Sequence, residues 1–185
     1  MLHRRMIGDT LLPLNALIMR GGDPLDLGSY TVKFYAESEA DGTSLVAEST
    51  TGVTAQPTQT FTAASTGLAT CNGHGVKEGQ QVIVANSGGT LPTGLSASTR
   101  YFAVNVTPNA FGMATVPGGQ TVITAAGTGT NTFYVVGSVQ KVFLAADVDT
   151  AGRYSGWFVV FSGSDSATAP VAREGITIEI LARGN

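Results

Sequence analysis

Cys71 and His74 stand close together in Cys71-Asn72-Gly73-His74. That spacing can supply two ligands to a zinc ion, or a thiol with the base that deprotonates it. A structural zinc site needs four nitrogen or sulfur ligands. Cys71 is the sole cysteine, and His3 is the sole other histidine. The sequence therefore predicts neither a metal site nor an activated thiol here. The acidic pairs Asp23 with Asp26 and Asp147 with Asp149 raise calcium as a ligand. Asp147-Val148-Asp149 stands without the remaining oxygen ligands of a calcium loop, so these aspartates read as turn caps. Gly127-Thr128-Gly129-Thr130 has glycines like a phosphate loop but neither its lysine nor a following helix. The expectation is a chain with no catalytic residue, no cofactor and no metal ligand, and so not an enzyme.

The elements that would position any such residues are strands. Tyr30, Val32 and Phe34 alternate with polar residues in Ser29–Tyr35, the period of a half-buried strand. Arg153–Phe161 is aromatic and β-branched, and Gly175–Ile180 carries Ile176, Ile178 and Ile180 on one face. Tyr30, Val32, Phe34, Trp157, Val159, Ile176, Ile178 and Ile180 are the candidates for the core, with Phe158 as the alternative to Trp157 for filling the space between two sheets. Only Leu11–Met19 offers a helical reading, which Pro13 spoils and a strand also fits. An all-β fold is the result.

Composition narrows the classes further. The chain has 185 residues, 12% of them charged, and a formal net charge of −3. It is too apolar for a disordered tail and too weakly basic for a general nucleic-acid surface. No apolar run is longer than Trp157–Phe161, far short of the roughly 18–20 residues of a membrane-spanning helix. Met1–Ile7 is basic, but Asp9 and Pro13 break up the stretch where an apolar signal core would lie, so no cleaved secretory signal is expected.

Charge divides the chain. Residues 58–137 contain Lys77, Glu78 and Arg100 and no other charged side chain, although the chain has 10 basic and 13 acidic residues. The segment has its own strand signals at Gln81–Val84, Arg100–Val104 and Thr121–Ile123. Turns at Ser87-Gly88-Gly89, Pro92-Thr93-Gly94 and Pro117-Gly118-Gly119 separate them. Threonine and serine replace charge as the polar alternates. The expected organisation is a discontinuous domain, residues 1–57 and 138–185, carrying an inserted β module at 58–137.

The flanks contain Gly8-Asp9-Thr10, Gly22-Asp23-Pro24-Leu25-Asp26-Leu27 and Tyr30-Thr31-Val32-Lys33-Phe34. Ala151-Gly152-Arg153-Tyr154-Ser155-Gly156-Trp157-Phe158-Val159 and Pro170 come near the end. In this order they resemble the small immunoglobulin-like domain at the N-terminus of upper baseplate proteins of tailed bacteriophages. The middle runs Ala69–Val76, Gly79–Val82, Gly89-Thr90-Leu91-Pro92-Thr93-Gly94-Leu95, Thr99–Val104 and Gly127–Thr130. It resembles an insert module that recurs in phage structural proteins, and the resemblance implies that His74 is a structural turn residue before a Gly-Val strand.

The resemblance implies an immunoglobulin-like β-sandwich with a small all-β insert. It implies a virion protein of the tail tip or baseplate, with capsid decoration or a neck position as the alternative. The partners implied are other virion proteins and symmetric copies of the chain, with no membrane and no specific nucleic acid. A host surface glycan is the second class of partner. The place implied is the virion, assembled in the host cytoplasm, with Met1–Met6 as a flexible arm that tethers the domain.

Overall fold

The computed structural model describes residues 2–6, 13–63, 67–162 and 176–181. These residues are all-β. The first strands are β1 (Leu2–Met6), β2 (Leu14–Leu17), β3 (Met19–Arg20), β4 (Asp23–Pro24), β5 (Tyr30–Ser38), β6 (Ser44–Ser49) and β7 (Val53–Ala55). Next come β8 (Gln59–Ala63), β9 (Leu68–Thr70), β10 (Gln81–Ser87), β11 (Arg100–Thr107), β12 (Ala110–Ala114) and β13 (Thr130–Val135). The last are β14 (Ser138–Lys141), β15 (Gly152–Ser162) and β16 (Ile176–Leu181), with a 3-10 turn at Ala145–Val148. Two compact units result: Met1–Gln56 with Gly137–Asn185, and Pro57–Val136.

The first unit is a sandwich. A five-stranded sheet has the order β1-β16-β15-β5-β6, and a three-stranded sheet the order β2-β14-β7. Leu14 and Val139 from the small sheet share one core with Val32, Phe34, Phe158, Val160 and Ile180 from the large one. The Phe34 ring lies 5.0 Å from Phe158 and 5.8 Å from Phe143. Each such ring buried contributes about 1.5–3 kcal/mol relative to exposure.

The expected core of β5 holds at Val32 and Phe34, while Tyr30 is half-buried. On β15 the expected face is the wrong one. Tyr154, Gly156, Phe158 and Val160 are buried, and Trp157 and Val159 sit half-buried on the opposite face. The strand is apolar on both faces, so its alternation cannot choose between them. The Tyr154 hydroxyl donates to the Thr150 carbonyl at 3.1 Å, with the ring turned inward. Every second residue must then take the same side. Trp157 pairs instead with Tyr35, ring centroids 5.7 Å apart and planes 3° from parallel. The side chains of Ile176 and Ile178, with Gly8-Asp9-Thr10 and Pro170, lie outside the described residues.

One further expectation is corrected, and one open choice is decided. Leu2–Met6 is not a free arm: it is an edge strand in parallel register with β16, from Leu2↔Thr177 to Met6↔Leu181. Its backbone is held by a ladder, which a tether does not need. Within the helical candidate, Leu14–Leu17 is a strand that pairs with β14.

The second unit is a closed barrel of order β10-β11-β12-β9-β8-β13, with β13 pairing back onto β10. Its interior is filled by side chains, as small barrels require. Phe61, Phe111 and Phe133 stack through it at centroid spacings of 6.0 and 5.0 Å, with Val82, Val84, Tyr101 and Met113 around them. β9 and β10 lie on opposite sides of the ring, as do β12 and β13. Their connections, residues 71–80 and 115–129, therefore cross opposite ends of the barrel.

The second crossing explains the remaining correction. Thr121–Ile123 is expected to be a strand but belongs to no named ladder. Ile123 is buried as an end plug. The Val122 N–H reaches the Met113 carbonyl at 2.8 Å, and the Thr124 N–H reaches the Thr93 carbonyl at 3.0 Å. Gly94 permits this approach: its φ is +96°, and a Cβ there would collide with the Val122 carbonyl oxygen.

Candidate functional site

The Cys71–His74 segment opens the crossing between β9 and β10. The Cys71 thiol donates to the Gln59 Oε1 at 3.4 Å, and burial pushes its pKa above the ordinary thiol value. A thiol so shifted stays protonated near neutrality, the opposite of an activated nucleophile. His74 is only 4% exposed. Its Nε2 lies 2.9 Å from the Thr107 carbonyl, and its Nδ1 accepts the Val76 N–H at 3.0 Å. The Gln59 amide holds the His74 carbonyl at 3.0 Å, and the ring rests 4.9 Å from Phe111. The segment is thus stitched to β8, β11 and β12. Among the described residues, no group of three or more His, Cys, Asp or Glu is placed to hold a metal ion.

The aspartates serve local structure. Asp26 Oδ1 accepts the Gly28 N–H at 3.2 Å and the Gln56 amide at 3.0 Å. Asp149 accepts the Thr150 hydroxyl at 2.9 Å. Asp41, in the β5–β6 turn, is lowered below the ordinary carboxylate value by the Thr43 backbone N–H and then by the Ser38 hydroxyl. Tyr154 is raised by burial, then by the charges of Asp149 and Asp41. Its phenol thereby keeps the proton it donates to Thr150.

Asp147 has a partner that sequence reasoning missed. Lys141 on β14 is fully buried, and its ammonium lies 2.8 Å from Asp147 Oδ2 and 2.9 Å from the Thr51 carbonyl. The Phe143 ring centroid is 5.5 Å away. The signal was present: Lys141 has the same parity as Val139 and Phe143, both buried. The same Asp147 oxygen accepts the Leu144 N–H at 2.9 Å. This ion pair closes the turn before β15 over the sandwich core.

Gly127–Thr130 binds its own neighbours. The Asn86 amide donates to the Thr128 carbonyl at 2.7 Å and to Asn131 Oδ1 at 2.8 Å. The Thr90 N–H donates to Thr128 Oγ1 at 3.0 Å. The Thr128 N–H, one of the donors a phosphate would need, goes to the Thr90 carbonyl at 2.9 Å, which knits this loop to the one after β10.

The outer face of the large sheet gathers aromatic side chains. Beside Tyr35 and Trp157, the Lys33 ammonium lies 4.6 Å from the Phe161 ring centroid. Among the described residues, no helix is long and apolar enough to cross a membrane. Compared with known proteins, the chain matches no family model, no curated protein and no solved structure.

Proposed function

We propose that the chain is a structural component of a tailed-phage virion, at the tail tip or baseplate, acting through protein–protein assembly and without catalysis. One observation carries the reading. β7 and β14 are paired strands, Ala55 opposite Val139, and the whole barrel lies between them in sequence. The barrel thus takes the place of a hairpin turn. This is how a mounting domain carries a second module without disturbing its own core. The Tyr154–Thr150 bond supports the immunoglobulin-like assignment, because sandwiches of that type carry a comparable tyrosine hydroxyl bond at a strand corner.

The scarcity of charge in Pro57–Val136 supports contacts between copies, since an uncharged polar surface costs less to desolvate. Symmetry then multiplies modest interfaces into a stable particle. Immunogold labelling of particles with an antibody to this chain, with native mass measurement of the chain alone, tests the reading. Many labelled copies at one particle position and a self-associated chain are expected. Unlabelled particles and a monomeric chain overturn it.

A second reading is favoured by Trp157 lying outside the core. A sheet face bearing Tyr35, Trp157 and Phe161 beside Lys33 and Ser155 has the mixed aromatic and polar chemistry that sugars stack on. Quenching of Trp157 emission by host surface glycans, abolished by Tyr35→Ala, is the expected result for that role.

A further inference from the structure

We infer that His74 is an acid-operated plug: protonation of its ring releases the middle of the 71–80 crossing, residues 74–76, and loosens one end of the barrel. The hydrogen-bond geometry carries this, independently of any assembly role. A carbonyl oxygen can only accept, so Nε2, 2.9 Å from the Thr107 carbonyl, must bear a proton. An amide N–H can only donate, so Nδ1, 3.0 Å from the Val76 nitrogen, must be bare. Both bonds together admit a single form of the ring, the neutral Nε2–H tautomer. Adding a proton at Nδ1 sets two N–H groups against each other at a 4% exposed position. It also leaves the Val76 N–H buried without an acceptor, a costly state.

The surroundings offer no relief. The segment's own charged residues are Lys77 and Glu78, and Glu78 Oε2 already accepts the Val106 N–H at 3.0 Å. β8 presents the Gln59 amide, β11 the Thr107 carbonyl and β12 the Phe111 ring, and Cys71 contributes a neutral thiol. Among the described residues, no carboxylate bonds to the ring to hold an imidazolium. The ends of the crossing are held without the ring, by the Cys71 N–H on the Asn109 carbonyl at 2.9 Å, the Gly73 N–H on the Pro108 carbonyl at 3.2 Å and the Gly79 N–H on the Ala103 carbonyl at 2.8 Å, so what the ring secures is the stretch between them. His74 and Val76 are both buried in it, and Val76 belongs to the barrel core. Losing the ring's bonds therefore loosens residues 74–76 over the barrel end where β8 begins and β13 finishes, while the backbone bonds keep the two ends of the crossing in place.

The test uses the whole chain at pH 7.5 and 5.0, the interval in which histidine ordinarily changes charge. Hydrogen exchange, corrected for the intrinsic pH effect, tracks residues 67–80 and 100–114 for the barrel. Emission of Trp157, the single tryptophan, tracks the sandwich. The expected result is selective loss of barrel protection at pH 5.0, with its melting temperature down by about 5 °C or more. His74→Asn, which keeps an acceptor for Val76, should remove most of that shift, while His3→Gln should leave it intact. Should His74→Asn fail to fold, nitrogen-15 spectra of the wild-type ring decide the matter. An Nε2–H tautomer at pH 7.5, with protonation accompanied by exposure of the Val76 amide, supports the plug. Equal barrel stability at both pH values, or a shift that persists in His74→Asn, overturns it. So does a ring that protonates while the Val76 amide stays protected.

Discussion

The sandwich and the barrel are both all-β, yet they satisfy their polar groups in different ways. The sandwich buries a charge, Lys141, and answers it with Asp147 and the Thr51 carbonyl. The barrel binds its loops mostly with neutral groups, Asn86 to Thr128 and Asn131, Thr90 to Thr128, and His74 to Thr107, and the one carboxylate it uses, that of Glu78 on the Val106 N–H, is exposed. Its crossings also need close backbone approach, which glycine allows. The difference teaches where each unit is fragile. An ion pair fails when one partner is removed, because the other charge is left in apolar surroundings. A glycine contact fails when any side chain is added.

The largest effect is expected from Gly94→Val. Its Cβ would meet the Val122 carbonyl, at a φ that a β-branched residue avoids. Loss of about 4 kcal/mol or more from the barrel should result, seen as collapse of exchange protection in 100–114 while Trp157 emission is unchanged. Equal loss in both units would break the comparison. Asp147→Ala should come next, lowering the sandwich by about 2–3 kcal/mol in denaturant titration monitored at Trp157. Lys141→Met, which removes the charge and keeps apolar bulk, should cost clearly less. If it costs as much, packing rather than charge explains the site. Tyr154→Phe should cost the sandwich about 1 kcal/mol, the worth of one hydroxyl bond. The smallest effect on the sandwich should come from deleting Pro57–Val136, which leaves Gln56-Gly137-Ser138 to join β7 and β14. Its cooperative melt should persist, with a change below about 1 kcal/mol. A chain with no cooperative transition would show that the sandwich depends on the barrel.

Legibility varied from strand to strand. Val32 and Phe34 alternate with polar neighbours, so the buried face of β5 could be read directly. β15 could not, because Trp157-Phe158-Val159-Val160-Phe161 offers both faces apolar side chains, and the buried face shows only in the tertiary packing of Tyr154, Phe158 and Val160 with Phe34. The barrel's closure was hidden as well. β12, Ala110–Ala114, contains Gly112 and three alanine or methionine positions, weak strand formers whose placement comes from pairing with β9 and β11. Thr121–Ile123 carried a strand's composition but crosses a barrel end, a matter of topology rather than of local preference. Of the chemistry, the turn role of His74 came only from the resemblance, and the turn itself lies just before it, at Asn72-Gly73. The demand that its two partners place on one tautomer was not readable, since Thr107 lies far along the chain.

The pairing of β1 with β16 has a consequence for how the protein is made. Leu2–Met6 can find its partner only after Ile176–Leu181 has left the ribosome. At roughly 5–20 residues per second, that wait is on the order of ten seconds. Every strand of the barrel, by contrast, lies within Pro57–Val136 and can close while the nascent chain is still growing. Once closed, it holds Gln59 opposite Phe133. The late-arriving β14 is then delivered next to β7 as if by a short turn, with most of the loop-closure entropy already spent. The module that interrupts the sandwich in sequence thus brings its two halves together in time.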